Sequence, residues 1–218
     1  MIISERRTAA VILAAGKATR MGAPKLLLRD DAGEPLFSYA FHAAWRGGCR
    51  PVIAVISENS APLMDDPAFS RARFVRNWRA TEGLATSLRA GVEAVPSDVS
   101  SVMILLADQP FVTSELIAQL RSAHADHAEC AVIRPVFAGV PGHPVLFSSA
   151  LMKELRACQG DAGARHLLRR YEKKTLTIPA PVDTLPLDID TPEEFAQYKT
   201  MRASLHTDSR QSPHRSDR

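Results

Sequence analysis

The 218-residue sequence has no long apolar run, only three cysteines and little net charge. No stretch reaches the roughly 18 consecutive apolar residues that a membrane-spanning helix needs. The opening letters MIISERR also lack the charged-then-apolar order of a secretory signal. We therefore expect a cytoplasmic protein that does not bind membranes.

The cysteines are Cys49, Cys130 and Cys158, and no two of them form a C-x-x-C pair. This spacing favours neither a zinc site nor a disulfide framework, so we expect small hydrophobic side chains in the core. The formal net charge of +3 at pH 7 gives little support to nucleic-acid binding.

Short β-branched runs alternate with longer stretches of helical periodicity, which predicts an α/β fold with a mostly parallel sheet. The clearest predicted strands are residues 8–15, 51–57, 73–77 and 101–107, and the clearest predicted helices are 36–47, 84–95, 113–125 and 191–203. We predict one domain over residues 1–203. Residues 204–218 turn to Ser, Arg, Asp, His and Pro, which predicts a disordered tail.

The loop after the first predicted strand, AAGKATRMGAPK, combines glycine with cations. Gly16 lets the backbone approach an anion closely, while Arg20 and Lys25 can neutralise phosphate oxygens. The loop matches neither the G-x-G-x-x-G nor the Walker fingerprint. A phosphate site is the interpretation that we favour, and an ordinary strand-to-helix turn is the alternative.

Three acidic residues follow predicted strands or precede a predicted helix. Asp108 ends the most hydrophobic strand, in LLADQP, where it either binds a cation or forms a turn before Pro110. Asp188 and Asp190 lie just before the helix at 191–203 and could simply favour its N-terminus. Paired with Asp108, either acid would complete an oxygen-ligand site for Mg²⁺.

Six segments in order give the chain a specific family resemblance: LAAGKATRMGAPKLLL, GLATSLRAGV, LLADQPFVT, RPVFAGVPGHPVLF, GDAGARHLL and DIDTPEEF. Together they resemble the molybdenum cofactor cytidylyltransferases, within the guanylyltransferase-like nucleotidyltransferase superfamily. The resemblance runs from about residue 8 to 200. It implies a single-domain, three-layer α/β/α fold, Rossmann-like and of the GT-A-like nucleotidyltransferase type.

The resemblance also implies roles for individual residues. Catalysis would rest on Lys25, Arg20 and Asp108, and the metal ligands would be Asp108 and Asp190. The implied nucleotide-binding residues are Leu13, Ala14, Ala15, Gly16, Arg20, Lys25, Gly83, Ser87, Gly91 and Asp108. His143 and Arg165 would contact the acceptor.

Some of these assignments have plain structural alternatives. Helix packing explains the small residues Gly83, Ser87 and Gly91 equally well. The alternative for His143 is a structural histidine, and the alternative for Arg165 is a solvated helix residue. Many relatives carry serine at the position of Ala18, where the neighbouring Thr19 would supply the missing hydroxyl.

The implied reaction transfers CMP from CTP to the terminal phosphate of molybdenum-loaded molybdopterin, with Mg²⁺ as cofactor. Relatives that use GTP tend to read Leu-Ala-Gly-Gly at residues 13–16, so Ala15 favours CTP. A molybdoenzyme or its maturation chaperone would receive the product. Two alternatives stay open: transfer to a sugar phosphate or another phosphorylated metabolite, and a non-catalytic nucleotide or cofactor-delivery module.

Overall fold

A computed structural model describes residues 7–16, 20–182 and 184–208 of the chain. The strands of the described part are β1 (Thr8–Ala14), β2 (Val52–Ile56), β3 (Ala72–Arg76), β4 (Ser101–Leu106), β5 (Val132–Phe137), β6 (Val140–Pro141), β7 (Val145–Ser148) and β8 (Thr175–Pro179). Its α-helices are α1 (Leu36–Arg46), α2 (Leu84–Glu93), α3 (Ser114–Asp126), α4 (Met152–Arg156), α5 (Arg165–Arg170) and α6 (Pro192–Asp208).

All of these strands belong to one mixed sheet, in the order β3-β2-β1-β4-β7-β5, with β8 also paired to β5. β1, β2, β3 and β4 are mutually parallel, and β5 is parallel to β8. β7 runs antiparallel to both β4 and β5, and the short β6 is antiparallel to β5. The predicted α/β fold with a mostly parallel sheet is therefore confirmed.

The strand β1 shows why the sheet is covered on both faces. Its residues are nearly all buried and alternate between two cores: Ile12 belongs to one core and Val11 to the other. Because successive side chains of a strand point to opposite faces, each core lies on its own side of the sheet. This gives the three layers that the family resemblance implied.

The helices divide between the two cores. Buried side chains of α1, α3 and α6 pack in the first core, represented by Phe37, Leu116 and Tyr198. Those of α2, α4 and α5 pack in the second. Of the cysteines, Cys49 and Cys158 are buried free thiols, as predicted, whereas Cys130 is a free thiol that is only partly buried. No helix in the described ranges is long and apolar enough to cross a bilayer.

The helix α6 begins at the capping residues that the sequence predicted. Thr191 Oγ1 accepts from the Glu194 backbone N–H, and the Glu194 carboxylate accepts from the Thr191 N–H at 2.9 Å. This reciprocal pair is a capping box. The helix continues to Asp208, past the boundary at residue 203 that composition suggested, and the chain after it lies outside the described residues.

Candidate active site

The carboxyl ends of β1 and β4 meet at one edge of the sheet. The two strands are adjacent and parallel, with Leu13 opposite Leu106, and the Ala107 N–H donates to the Leu13 carbonyl at 3.2 Å. The loop that starts at Ala15 and the acid Asp108 therefore leave neighbouring strands side by side. Ligands bind at such an edge in open α/β sheets.

Lys25 lies at the centre of this edge, at the start of a short 3₁₀ turn (Lys25–Leu27). Its side chain is only 8% exposed. The ammonium Nζ donates to Asp108 Oδ2 at 2.8 Å and to Asp190 Oδ1 at 2.7 Å. One lysine thus joins the two acids, which are more than 80 residues apart in sequence.

Backbone contacts explain why Asp190 reaches Asp108. The Ile189 N–H donates to the Asp108 carbonyl at 3.0 Å, and the Ile189 side chain is fully buried. The Asp190 N–H in turn donates to the Glu194 carboxylate of α6 at 2.7 Å. Asp188, the other candidate acid, accepts instead from Gln109 Nε2 at 2.7 Å, so the structure brings Asp190 to Lys25.

The charges of this group stabilise one another. Burial disfavours the Lys25 ammonium, but Asp108 and Asp190 outweigh it and hold the pKa of Lys25 above its ordinary value. The hydrogen bond from Lys25, with smaller contributions from Arg20, lowers the pKa of Asp190. Arg20 contacts Asp190 Oδ2 directly while its own side chain stays largely exposed. Its guanidinium therefore faces solvent beside the acid pair.

The donor set at this edge suits a hard cation. Asp108 and Asp190 each offer a carboxylate oxygen within hydrogen-bond reach of the same lysine nitrogen. Within residues 7–16, 20–182 and 184–208, no cluster of three or more His, Cys, Asp or Glu residues is arranged to hold a metal ion. Two carboxylates completed by water and substrate phosphates are what Mg²⁺ commonly uses, so the residues fit that ion.

A cavity of about 300 Å³ opens beside the acids. Its lining includes six of the residues predicted to bind nucleotide: Leu13, Ala15, Gly16, Gly83, Ser87 and Asp108. Ala14 does not line this cavity; it is buried in the sheet, and its carbonyl accepts from Ser60 Oγ at 2.8 Å. Lys17, Ala18 and Thr19 lie outside the described residues.

The sequence did not single out two polar residues that shape the cavity. Asn77, at the end of β3, donates through Nδ2 to Thr86 Oγ1 and Ser87 Oγ, both at 2.9 Å. Asp161 lines the cavity itself. Its carboxylate lies so close to Gly83 that a Cβ there would be 2.4 Å from Oδ1, and Gly83 has a φ of 117° that favours glycine. The GDAGAR segment was the available signal for Asp161.

Gly91 does not lie at the site, which corrects its assignment to nucleotide binding. It faces the sheet from α2, and a Cβ there would lie 2.3 Å from Val11 Cγ1 and 2.8 Å from Val55 Cγ2. The glycine is therefore needed for close packing of α2 on β1 and β2. This geometry supports the packing alternative for Gly91.

His143 and Arg165 lie together on an adjoining, mostly apolar cavity of about 120 Å³. Burial, followed by the positive charge of Arg134, lowers the pKa of His143 to about 4, so its imidazole is neutral at pH 7. The buried Nδ1 has no hydrogen-bond partner among the described residues. The structure thus brings together the two residues predicted to contact the acceptor.

The cavity and the lysine held between two carboxylates lie together at the carboxyl edge of a mostly parallel sheet, which is where open α/β sheets bind their ligands. The model of the MobA-like NTP transferase domain matches residues 10–175. The chain belongs to this family and carries a nucleotidyltransferase domain.

Two curated relatives differ in how much of their length the chain covers. The molybdenum cofactor cytidylyltransferase of Escherichia coli is 28% identical over 190 residues, covering 87% of this chain and 94% of the relative. The bifunctional protein GlmU of Mycobacterium ulcerans is 32% identical over 126 residues, covering 54% of this chain. The match spans a quarter of that relative's length.

A solved structure confirms the fold. Rv0371c from Mycobacterium tuberculosis H37Rv superposes with a TM-score of 0.76 at 23% identity, covering 89% of this chain and 98% of its own. The likeness extends over nearly all of both chains, so the single-domain architecture is shared.

Proposed function

We propose that this chain transfers CMP from CTP to the terminal phosphate of molybdenum-loaded molybdopterin, giving molybdopterin cytosine dinucleotide and pyrophosphate. The observation that carries the proposal is Lys25 between Asp108 and Asp190, beside the cavity of about 300 Å³. The E. coli cytidylyltransferase, covered over 94% of its length, supports the choice of nucleotide and acceptor.

The chain's own residues supply position and charge in this reaction. A phosphate nucleophile is already ionised at neutral pH, so no general base is needed. The alignment of the two substrates supplies most of the rate enhancement. Lys25 and Arg20 stabilise the negative charge that builds on the leaving pyrophosphate. Asp108 and Asp190 would hold Mg²⁺, which lowers the repulsion between the two anionic substrates when it is bound.

The two adjoining cavities divide the substrates between them. CTP occupies the larger cavity, where Ala15 and Gly16 leave room for the nucleotide against β1. The acceptor lies over the apolar cavity with His143 and Arg165, and its phosphate points towards Asp108. The cavities share Leu13, Leu84 and Leu106, so the reacting groups meet over these side chains. The product would pass to a molybdoenzyme or its maturation chaperone.

Incubation with each nucleoside triphosphate, Mg²⁺ and purified molybdenum cofactor tests the proposal. We expect pyrophosphate release and a dinucleotide product with CTP. Asp108→Ala should remove turnover with the fold intact, while Asp31→Ala, an exposed acid paired with Lys199, should keep it. Full activity of Asp108→Ala would refute the metal assignment.

The same assay separates the alternatives. Product from GTP but not CTP would overturn the base assignment. Turnover only with a sugar phosphate would favour the second acceptor class, for which the first loop and the acids are equally suited. Absence of Mg²⁺-dependent pyrophosphate release with every acceptor would point to a non-catalytic delivery module.

A further inference from the structure

A third cavity continues the two that hold the proposed substrates. It has a volume of about 320 Å³ and shares Leu168 with the apolar cavity. The apolar cavity in turn shares three leucines with the cavity of about 300 Å³ in which we place CTP, which we call the nucleotide cavity. The three cavities are therefore neighbours, with the apolar cavity between the other two. We call the third one the Arg134 cavity; it is lined by Arg134, Leu168, Arg169, Glu172, Thr175 and Thr177.

The strand register explains why polar groups converge there. Arg134 on β5 pairs with Thr177 on β8, and Thr175 lies two residues earlier on β8. Side chains two residues apart in a strand share a face, and so do paired residues on neighbouring strands. One guanidinium and two hydroxyls therefore face the same way, beneath Leu168 and Arg169 of α5.

Arg134 is a partly buried cation that forms no ion pair with any residue in the described ranges. Its Nε and Nη2 both donate to the Gly142 carbonyl, at 3.3 and 3.2 Å. In the described part of the chain, no carboxylate oxygen lies within 4.0 Å of it. Burial lowers its pKa, which reflects the cost of removing this charge from water.

The lining of the Arg134 cavity carries a net positive charge. Arg134 and the exposed Arg169 contribute two positive charges against the single carboxylate of Glu172. A partly desolvated arginine whose guanidinium still has N–H donors available is suited to binding an oxyanion through charge-assisted hydrogen bonds. The threonine hydroxyls can donate to the same group.

We propose that the Arg134 cavity is an anion subsite for the end of the acceptor that lies farthest from the reacting phosphate. The proposal rests on the proposed function, and it defines the acceptor class: a molecule with a phosphate at one end, an apolar or planar middle and a second oxyanion-like group at the other. The apolar cavity with the neutral His143 separates the two anionic ends, which fits this order.

The first test measures the subsite without any acceptor. The full chain, saturated with CTP and Mg²⁺ to fill the nucleotide cavity, is titrated with inorganic phosphate while the arginine Nε–H signals are followed by NMR. We expect the Arg134 signal, identified by its loss in Arg134→Gln, to shift and saturate. A signal that does not move would overturn the proposal.

The second test separates the acceptor from the nucleotide. A charge-assisted hydrogen bond contributes enough that Arg134→Gln and Arg169→Gln should each raise the KM for the acceptor by about tenfold. The KM for CTP should stay within about twofold of the wild-type value. Arg170→Gln is the matched control, because this neighbour is exposed and paired with Glu154. An unchanged acceptor KM in both variants would contradict the subsite.

Two further comparisons keep the result interpretable. Arg134→Lys retains the charge and should restore part of the acceptor affinity, and Arg169→Gln gives the same test from an exposed position if Arg134→Gln does not fold. If the wild-type chain makes no product from molybdopterin, the proposed reaction is wrong. The phosphate titration then decides the anion subsite by itself.

Discussion

Lys25 and Asp190 are joined by a 2.7 Å contact between Nζ and Oδ1, although 165 residues separate them in sequence. The contact ties the loop after β1 to the segment before α6, and Asp108 completes the group from the end of β4. Three separate parts of the chain thus meet at one lysine that is almost removed from solvent. Both the charge balance of the site and the placement of the acids depend on it.

We expect Lys25→Gln to lower kcat/KM for CTP by about a hundredfold or more, the usual cost of removing one preorganised group that stabilises transition-state charge. The variant keeps a hydrogen-bond donor but loses the positive charge beside the leaving group. Steady-state pyrophosphate release measures the effect. Lys199→Gln, which removes a partly exposed lysine paired with Asp31, is the control and should leave kcat/KM unchanged.

The same substitution should change the acid stability of the protein. Asp190 has a lowered pKa, so its contribution to the free energy of unfolding is present above the unfolded value of about 3.8 and is lost as pH falls through the folded pKa. Lys25 is the first cause of that shift. Urea unfolding of Lys25→Gln should therefore show a flatter loss of stability in acid than the wild type, and an equally steep loss would contradict the coupling.

Ala15→Gly tests the base preference. Ala15 is buried, with 4% of its surface exposed, and lines the nucleotide cavity, so removing its methyl group enlarges the space against the nucleotide. We expect the ratio of kcat/KM for GTP over CTP to rise by about tenfold, since one methyl-sized change in a pocket is worth about 1–3 kcal/mol. Parallel assays with both nucleotides measure the ratio. An unchanged ratio would show that residues other than Ala15 determine which base the protein prefers.

The sequence predicts the elements of this fold well because their signals are local. Apolar alternation marks β1, and the Thr191–Glu194 pair marks the start of α6. The pairing of Asp108 with an acid before α6 was also predicted, but the choice of Asp190 rested on the family resemblance, because no described strand ends beside it. The pairing of β7 with β4 was not predicted, because a short apolar run has the same pattern whichever strand lies beside it.

The contacts that the sequence missed depend on tertiary placement. Asp161 belongs to a quoted motif, but only the packing of its loop against Gly83 brings it to the nucleotide cavity. Gly91 lies in a motif that suggests ligand binding, yet its missing side chain makes room for Val11 and Val55. In both cases the neighbours come from distant parts of the chain, which no local pattern encodes.

His143 should give the protein a distinct pH dependence of stability. Its pKa is lowered from 6.5 to about 4, chiefly by burial, so the unfolded chain binds a proton that the folded chain does not as pH falls through this range. The free energy of unfolding should therefore decrease from about pH 6.5 to about pH 4, with no further contribution below. Urea unfolding across this range measures the slope.

The matched comparison for this prediction makes the same substitution at two different histidines. His143→Gln should reduce the slope of stability against pH, because no imidazole remains to be protonated. His166→Gln makes this substitution at an exposed residue of α5 and is the control for the loss of an imidazole. Equal slopes in the wild type and His143→Gln would show that this histidine is not held neutral.

Gly91→Ala separates packing from nucleotide binding at α2. The new methyl group would lie 2.3 Å from Val11 Cγ1, so α2 must move or the valines must shift, and such overpacking costs about 1–3 kcal/mol. We expect the free energy of unfolding to fall by that amount in urea titrations, while the KM for CTP stays within about twofold. Adding Val11→Ala should recover part of the stability, because it removes the nearer of the two atoms that the new Cβ would strike. A large rise in the KM for CTP that the double variant does not reverse would support the assignment of Gly91 to nucleotide binding.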